Sequence, residues 1–113
     1  RVIMEGSEVE QGIRRAPNRK ENLAPEAPQI GEAFPNPFNI TTTIPLELRS
    51  ASLIEVAVYD ALGGEVERVS YGVLAEGRHH LNLSGHSWAS GTYFVRVIAE
   101  RKSVALRRVI LVK

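Results

Sequence analysis

Three histidines, a single aspartate, the glutamates and a scatter of serines are among the side chains in this sequence equipped for metal binding or catalysis. A metal site needs several donors converging on one point. His79 and His80 are adjacent in "RHHLNL" (78–83), which reads as a strand, so their rings point to opposite faces. His86 follows in a polar connection. Asp60 makes an ordinary calcium site only if glutamates and carbonyls supply most of the ligands. No serine sits in a Gly-x-Ser-x-Gly elbow, and no glycine-rich phosphate loop precedes a helix. Asn39-Ile40-Thr41 and Asn82-Leu83-Ser84 fit the short glycosylation acceptor pattern and are read as coincidence. Trp88, Tyr93 and Phe94 have the ring types of a sugar platform, although Trp88 also reads as a packed anchor. No enzyme, metal or cofactor is expected.

The totals narrow the field further. The chain has 113 residues, enough for one modest domain, and 43% of them are hydrophobic, enough for a core. A net charge of +1 gives no case for nucleic acid as a partner. There is no cysteine, which excludes disulfides and thiolate chemistry. No apolar run approaches the ~18 residues of a membrane-spanning helix. No signal peptide opens at Arg1, so any such signal is expected upstream in a longer parent. A monomer is expected.

The elements that must position these residues are β-strands. Residues 1–32 read as an extended linker or the tail of a preceding domain. Pro17, Pro25 and Pro28 block helix and central strand there, and "RVIM" (1–4) is open to a strand or linker reading. From residue 33 to 113 the signals are all β. "TTTIPLEL" (41–48) is a strand whose Pro45 predicts an edge position or a bulge. "LIEVAVYD" (53–60) alternates with period two. "ALGG" turns the chain, with Gly63 and Gly64 free to take positive φ. "EVERVSY" (65–71) returns, and the Val66–Val69 spacing predicts a bulge. "RHHLNL" puts His79, Leu81 and Leu83 on one face. "GTYFVRVIA" (91–99), a turn at "ERK" and "SVALRRVILVK" to the last residue complete the pattern. The expected fold is an immunoglobulin-like antiparallel β-sandwich of about seven strands with an extended N-terminal linker.

Three pieces of this pattern resemble one family. "AFPNPFNITTTI" is similar to a proline-asparagine-proline entry and its first strand. "IEVAVYDALGGEV" is similar to a valine-tyrosine-aspartate strand with a glycine turn. "WASGTYFVRV" and the closing "VILVK" are similar to a Gly-x-Tyr strand and a last strand ending in lysine. In order and at these spacings, they resemble the type A C-terminal sorting domain of type IX (Por) secretion cargo from Gram-negative bacteria, over about residues 33–113. Ile40, Ser84 and Gly64 depart from the family's usual proline, acid and longer polar residue. The resemblance singles out Pro35, Asn36, Pro37, Phe38, Asn39, Tyr59, Asp60, Gly63, Gly91, Tyr93 and Lys113.

The resemblance implies a function. An upstream cargo domain is carried through the periplasm and across the outer membrane by a translocon that recognises this domain. A surface protease of the sortase type then removes it, and cargo is released or anchored at the cell surface. The residues leave several roles open. Residues 34–39 are a packed brace, with Phe34 and Phe38 on the sandwich edge and Asn36 and Asn39 capping turns, or a recognised segment. Tyr93 is expected to bury its ring and hand its hydroxyl to the backbone. Arg96, Arg101, Lys102, Arg107, Arg108 and Lys113 form a solvated face, or dock on an acidic or edge-pairing receptor. A structural module like flagellar hook-capping domains, or a carbohydrate-binding module of a secreted hydrolase, are the alternatives.

Overall fold

A computed structural model describes residues 27–113, and these form seven strands and no helix. The expectations for Arg1–Met4, Pro17 and Pro25 lie outside the described residues. The strands are β1 (Gln29–Ile30), β2 (Thr41–Leu48), β3 (Ser52–Asp60), β4 (Glu65–Leu74), β5 (Gly77–Ser84), β6 (Gly91–Ala99) and β7 (Lys102–Leu111). A three-stranded sheet, β1-β2-β5, packs on a four-stranded sheet, β4-β3-β6-β7, and all paired strands are antiparallel. This is an immunoglobulin-like division, with β4 beside β3 in the place of an added strand.

Period-two patterning decides which side chains meet between the sheets. Ile44, Leu46 and Leu48 of β2 and Leu81 and Leu83 of β5 are buried from one side. Ile54, Val56 and Val58 of β3, Val95 and Val97 of β6, and Val109 and Leu111 of β7 are buried from the other. Each such side chain contributes about 1.5–3 kcal/mol relative to exposure, so this one cluster carries the fold.

Pro45 does not put β2 at an edge. The strand runs between β1 and β5, and its register with β5 is unbroken from Thr41 to Leu48. Direction resolves the conflict. Pro45 O accepts from Gly31 N at 2.8 Å, so the side of Pro45 that lacks a donor faces β1, which is only two residues long. That short strand is itself a departure from the linker reading. Gln29 and Ile30 pair with Glu47 and Leu46, inside the stretch expected to be linker. Two residues between Pro28 and Gly31 leave no alternation to detect.

The bulge expected in β4 occurs twice, because pairing with β3 skips Val66 and Tyr71. The β6–β7 connection has positive φ at both Glu100 (51°) and Arg101 (70°), the two-residue turn whose twist suits a hairpin. β7 stops at Leu111 instead of running to Lys113. Val112 N turns away to donate to Phe38 O at 2.9 Å.

Register fixes what lies at each end of the sandwich. Asp60 is opposite Tyr93, Gly91 opposite Leu111, and Thr41 opposite Ser84. One pole therefore holds the entry segment, the β3–β4 turn, the β5–β6 connection and the last two residues.

Candidate recognition surface

Phe34-Pro35-Asn36-Pro37-Phe38 crosses that pole from one sheet to the other. Phe34 exchanges two backbone bonds of 2.9 Å with Thr43 on β2. The Pro35 carbonyl accepts from the buried Thr42 hydroxyl at 2.8 Å. Asn36 then reaches β7: its Nδ2 donates to Arg108 O, and its Oδ1 accepts from Ile110 N, each at 2.9 Å. Phe38 N donates to Ile110 O at 2.8 Å, forming a parallel bridge at Leu111. The segment is thus a bracket binding β2 to β7. Peptide bonds Phe34-Pro35 and Asn36-Pro37 are cis.

Two expectations for the bracket need correction. Phe34 is 54% exposed and holds the edge through its backbone, not its ring. Asn36 caps no turn; its amide substitutes for a peptide group beside β7. Phe38 does pack, at 2% exposure. Pro37 and Asn39 are exposed, and Asn39 makes no hydrogen bond among the described residues.

Beneath the bracket lies an aromatic row drawn from two distant motifs. Phe38 meets Trp88 edge to face at 6.2 Å, and Trp88 meets Tyr93 at 4.9 Å. The Tyr93 hydroxyl donates to Ala89 O at 2.6 Å, closing the turn that leads to Gly91 and β6. Trp88 Nε1 donates to Glu67 Oε1 at 2.9 Å. Trp88 is buried, so it offers no face to a sugar. Gly85 makes the row possible, because a Cβ there would lie 3.0 Å from both Leu111 and Trp88.

The Tyr59–Gly63 motif is a turn and its flank. Asp60 Oδ1 accepts from Leu62 N at 3.0 Å and Gly64 N at 2.9 Å, an Asx-type cap. Gly63 has φ +91°, while Gly64 does not need positive φ. Tyr59 lies on the outer face of the four-stranded sheet with the Arg96 guanidinium 5.1 Å from its ring centre. Lys113 closes the pole: its N donates to Ser90 Oγ and its Nζ to His86 O, at 3.0 and 2.8 Å. All eleven singled-out residues therefore gather at one pole.

Several residues of this arrangement have no signal in the sequence. Arg107 reads as part of a solvated basic face, yet it points inward and donates to Gly31 O at 3.0 Å and Ile30 O at 2.8 Å. Glu32 stands 3.5 Å from it. Tyr71 donates to Asn82 O at 2.8 Å, and burial, helped by the Glu67 charge, raises its phenol to about 12. On the surface, the Arg68 guanidinium holds the Glu65 carboxyl below its usual range. The histidines stay apart: His79 donates to Ala75 O at 2.7 Å, far along β5 from His86. Among the described residues no three His, Asp or Glu side chains gather as metal ligands.

Two comparisons bear on the fold. A solved structure of Pseudomonas fluorescens alkylpurine DNA glycosylase AlkC, bound to DNA containing an abasic site analog, superposes with a TM-score of 0.51 at 12% identity. The match covers 76% of this chain and 30% of that one, and at such identity it shows a shared fold alone. No curated protein matches. The family described as "Secretion system C-terminal sorting domain" matches residues 32–112. The chain belongs to that family, the C-terminal sorting domains of type IX secretion, which direct a protein toward the cell surface or out of the cell.

Proposed function

We propose that residues 33–113 are a folded address that the type IX translocon reads at the motif pole, and that residues 1–32 join it to an upstream cargo domain. Family membership carries this reading. The convergence of all eleven motif residues on one pole supports it, because motifs far apart in sequence present a single surface to a receptor. Pro37 and Asn39 are exposed there, where a receptor can touch them without unfolding the domain. Removal by a sortase-like surface protease completes the route, and the domain acts as a monomer without catalysis of its own.

The test is a periplasmic reporter fused ahead of the full chain in a host with type IX secretion. The intact fusion is expected outside the cell, and a fusion lacking Val104–Lys113 is expected to stay in the periplasm. Surface delivery of the truncated fusion would overturn the reading.

A further inference from the structure

β7 is an edge strand, and its outward backbone groups divide into two zones. Ile110 N and Ile110 O both bond the bracket, so Thr92–Ile110 is a pair whose polar groups point away from each other. Alternation then turns the N–H and C=O of Arg108 and Leu106 outward as well. The bracket satisfies Arg108 O, Ile110 N, Ile110 O and Val112 N. Among the described residues, Arg108 N and Leu106 N meet no acceptor, and Leu106 O receives only the neighbouring Arg107 guanidinium at 3.1 Å. The bracket thus occupies the first step of a fifth strand and leaves the rest of that position open.

The open position is a groove, not a bare rim. A cleft of about 620 Å³ lies beside it, lined by Glu32, Asn36, Phe94, Leu106, Arg107, Arg108 and Ile110. Leu106 is 55% exposed beside this open position. Arg107 and Arg108 both line this groove, and Arg107 stands 3.5 Å from the one acid in its wall, Glu32, which leaves the Arg108 charge facing the open position. Cations of this kind guard an edge against self-pairing, and they also select a partner of opposite sign.

We propose that the Leu106–Arg108 edge accepts an extended acidic strand from a partner protein, which adds beside β7 and continues the sheet from the bracket. Main-chain bonds to Leu106 N, Leu106 O and Arg108 N supply the pairing. An acidic side chain meets Arg108, and an apolar residue two positions away on the same strand face covers Leu106 and Phe94. This deepens the sorting role and rests on it only for the partner's identity as a receptor.

The probe is a blocked peptide of Glu-Thr-Val-Thr repeats, which sets Glu and Val in turn on one face, with a Lys-for-Glu version and a version N-methylated at every residue as controls, titrated into the full chain. The acidic peptide is expected to bind saturably and to slow hydrogen exchange at the Leu106 and Arg108 amides. Neither control is expected to bind. Leu106→Pro removes an outward N–H without breaking a β6–β7 bond, and is expected to abolish binding while the Val95 amide stays protected. Should Leu106→Pro unfold, Arg108→Glu keeps every backbone donor and is expected to weaken binding roughly tenfold through charge alone. No binding by the acidic peptide, equal binding by either control, or undiminished binding by a folded Leu106→Pro or by Arg108→Glu overturns the proposal. In the reporter host, export of a folded Leu106→Pro fusion at the unmutated level also overturns it while leaving the sorting role standing. Failure of the unmutated fusion to leave the cell overturns the sorting role instead.

Discussion

Phe38 and Trp88 meet edge to face, ring centres 6.2 Å apart and planes at 87°, joining the entry bracket to the β5–β6 connection. Little else under the bracket is as large, and Phe38 is almost wholly buried. Phe38→Ala is expected to cost about 3–5 kcal/mol, a large part of a small domain's stability. Urea unfolding followed by Trp88 fluorescence measures it. A loss under roughly 1 kcal/mol would mean the ring is not a structural anchor.

Asn36 distinguishes a side-chain bracket from ordinary loop packing. Asn36→Ala removes both bonds to β7 and is expected to cost about 1 kcal/mol, since the site is exposed. Asn36→Asp keeps the acceptor for Ile110 N but sets a carboxylate oxygen against Arg108 O. It is expected to cost at least as much as alanine. Hydrogen exchange at Ile110 separates the two variants: fast in the alanine form, still slowed in the aspartate form.

Ile40 sits at φ +81°, a left-handed conformation that β-branched residues avoid. Its carbonyl is held by Gly85 N, which fixes the backbone there. Ile40→Gly is therefore expected to raise stability by about 1 kcal/mol, because the strain is relieved and Ile40 is only half-buried. A lower melting temperature for this variant would count against the strain.

Tyr71 links stability to high pH. Its phenol titrates near 10.0 without perturbation and at about 12 in the fold. Burial disfavours the phenolate, so the stabilising contribution is complete below pH 10.0 and is lost as pH rises through about 12. The chain is expected to lose stability across that window, and Tyr71→Phe is expected to lose less, having no proton to release. Parallel alkaline slopes for the two proteins would contradict this.

The strands were legible because they obey local rules. β3 and β6 alternate cleanly, and burial of Ile54, Val56 and Val58 follows from that period alone. Tyr93 too was readable, as a large ring with a hydroxyl that needs a partner. The bracket was only half legible. Its prolines announce an extended segment, but nothing local says that Asn36 will serve β7 or that Phe34 will face water. Arg107 was opaque for the same reason. A cation between two valine-rich stretches looks solvated until Ile30 and Gly31 place their carbonyls beside it. Long-range partners fix these roles, and they leave no trace in spacing.

The Asn36 amide waits for main-chain groups 72 and 74 positions downstream. A nascent chain that has emerged only as far as β6 has nothing for its entry segment to clasp. Contacts so distant make folding late and cooperative. Completion of this fold therefore waits on its final ribbon, because the Asn36 amide has no partner until β7 is in place.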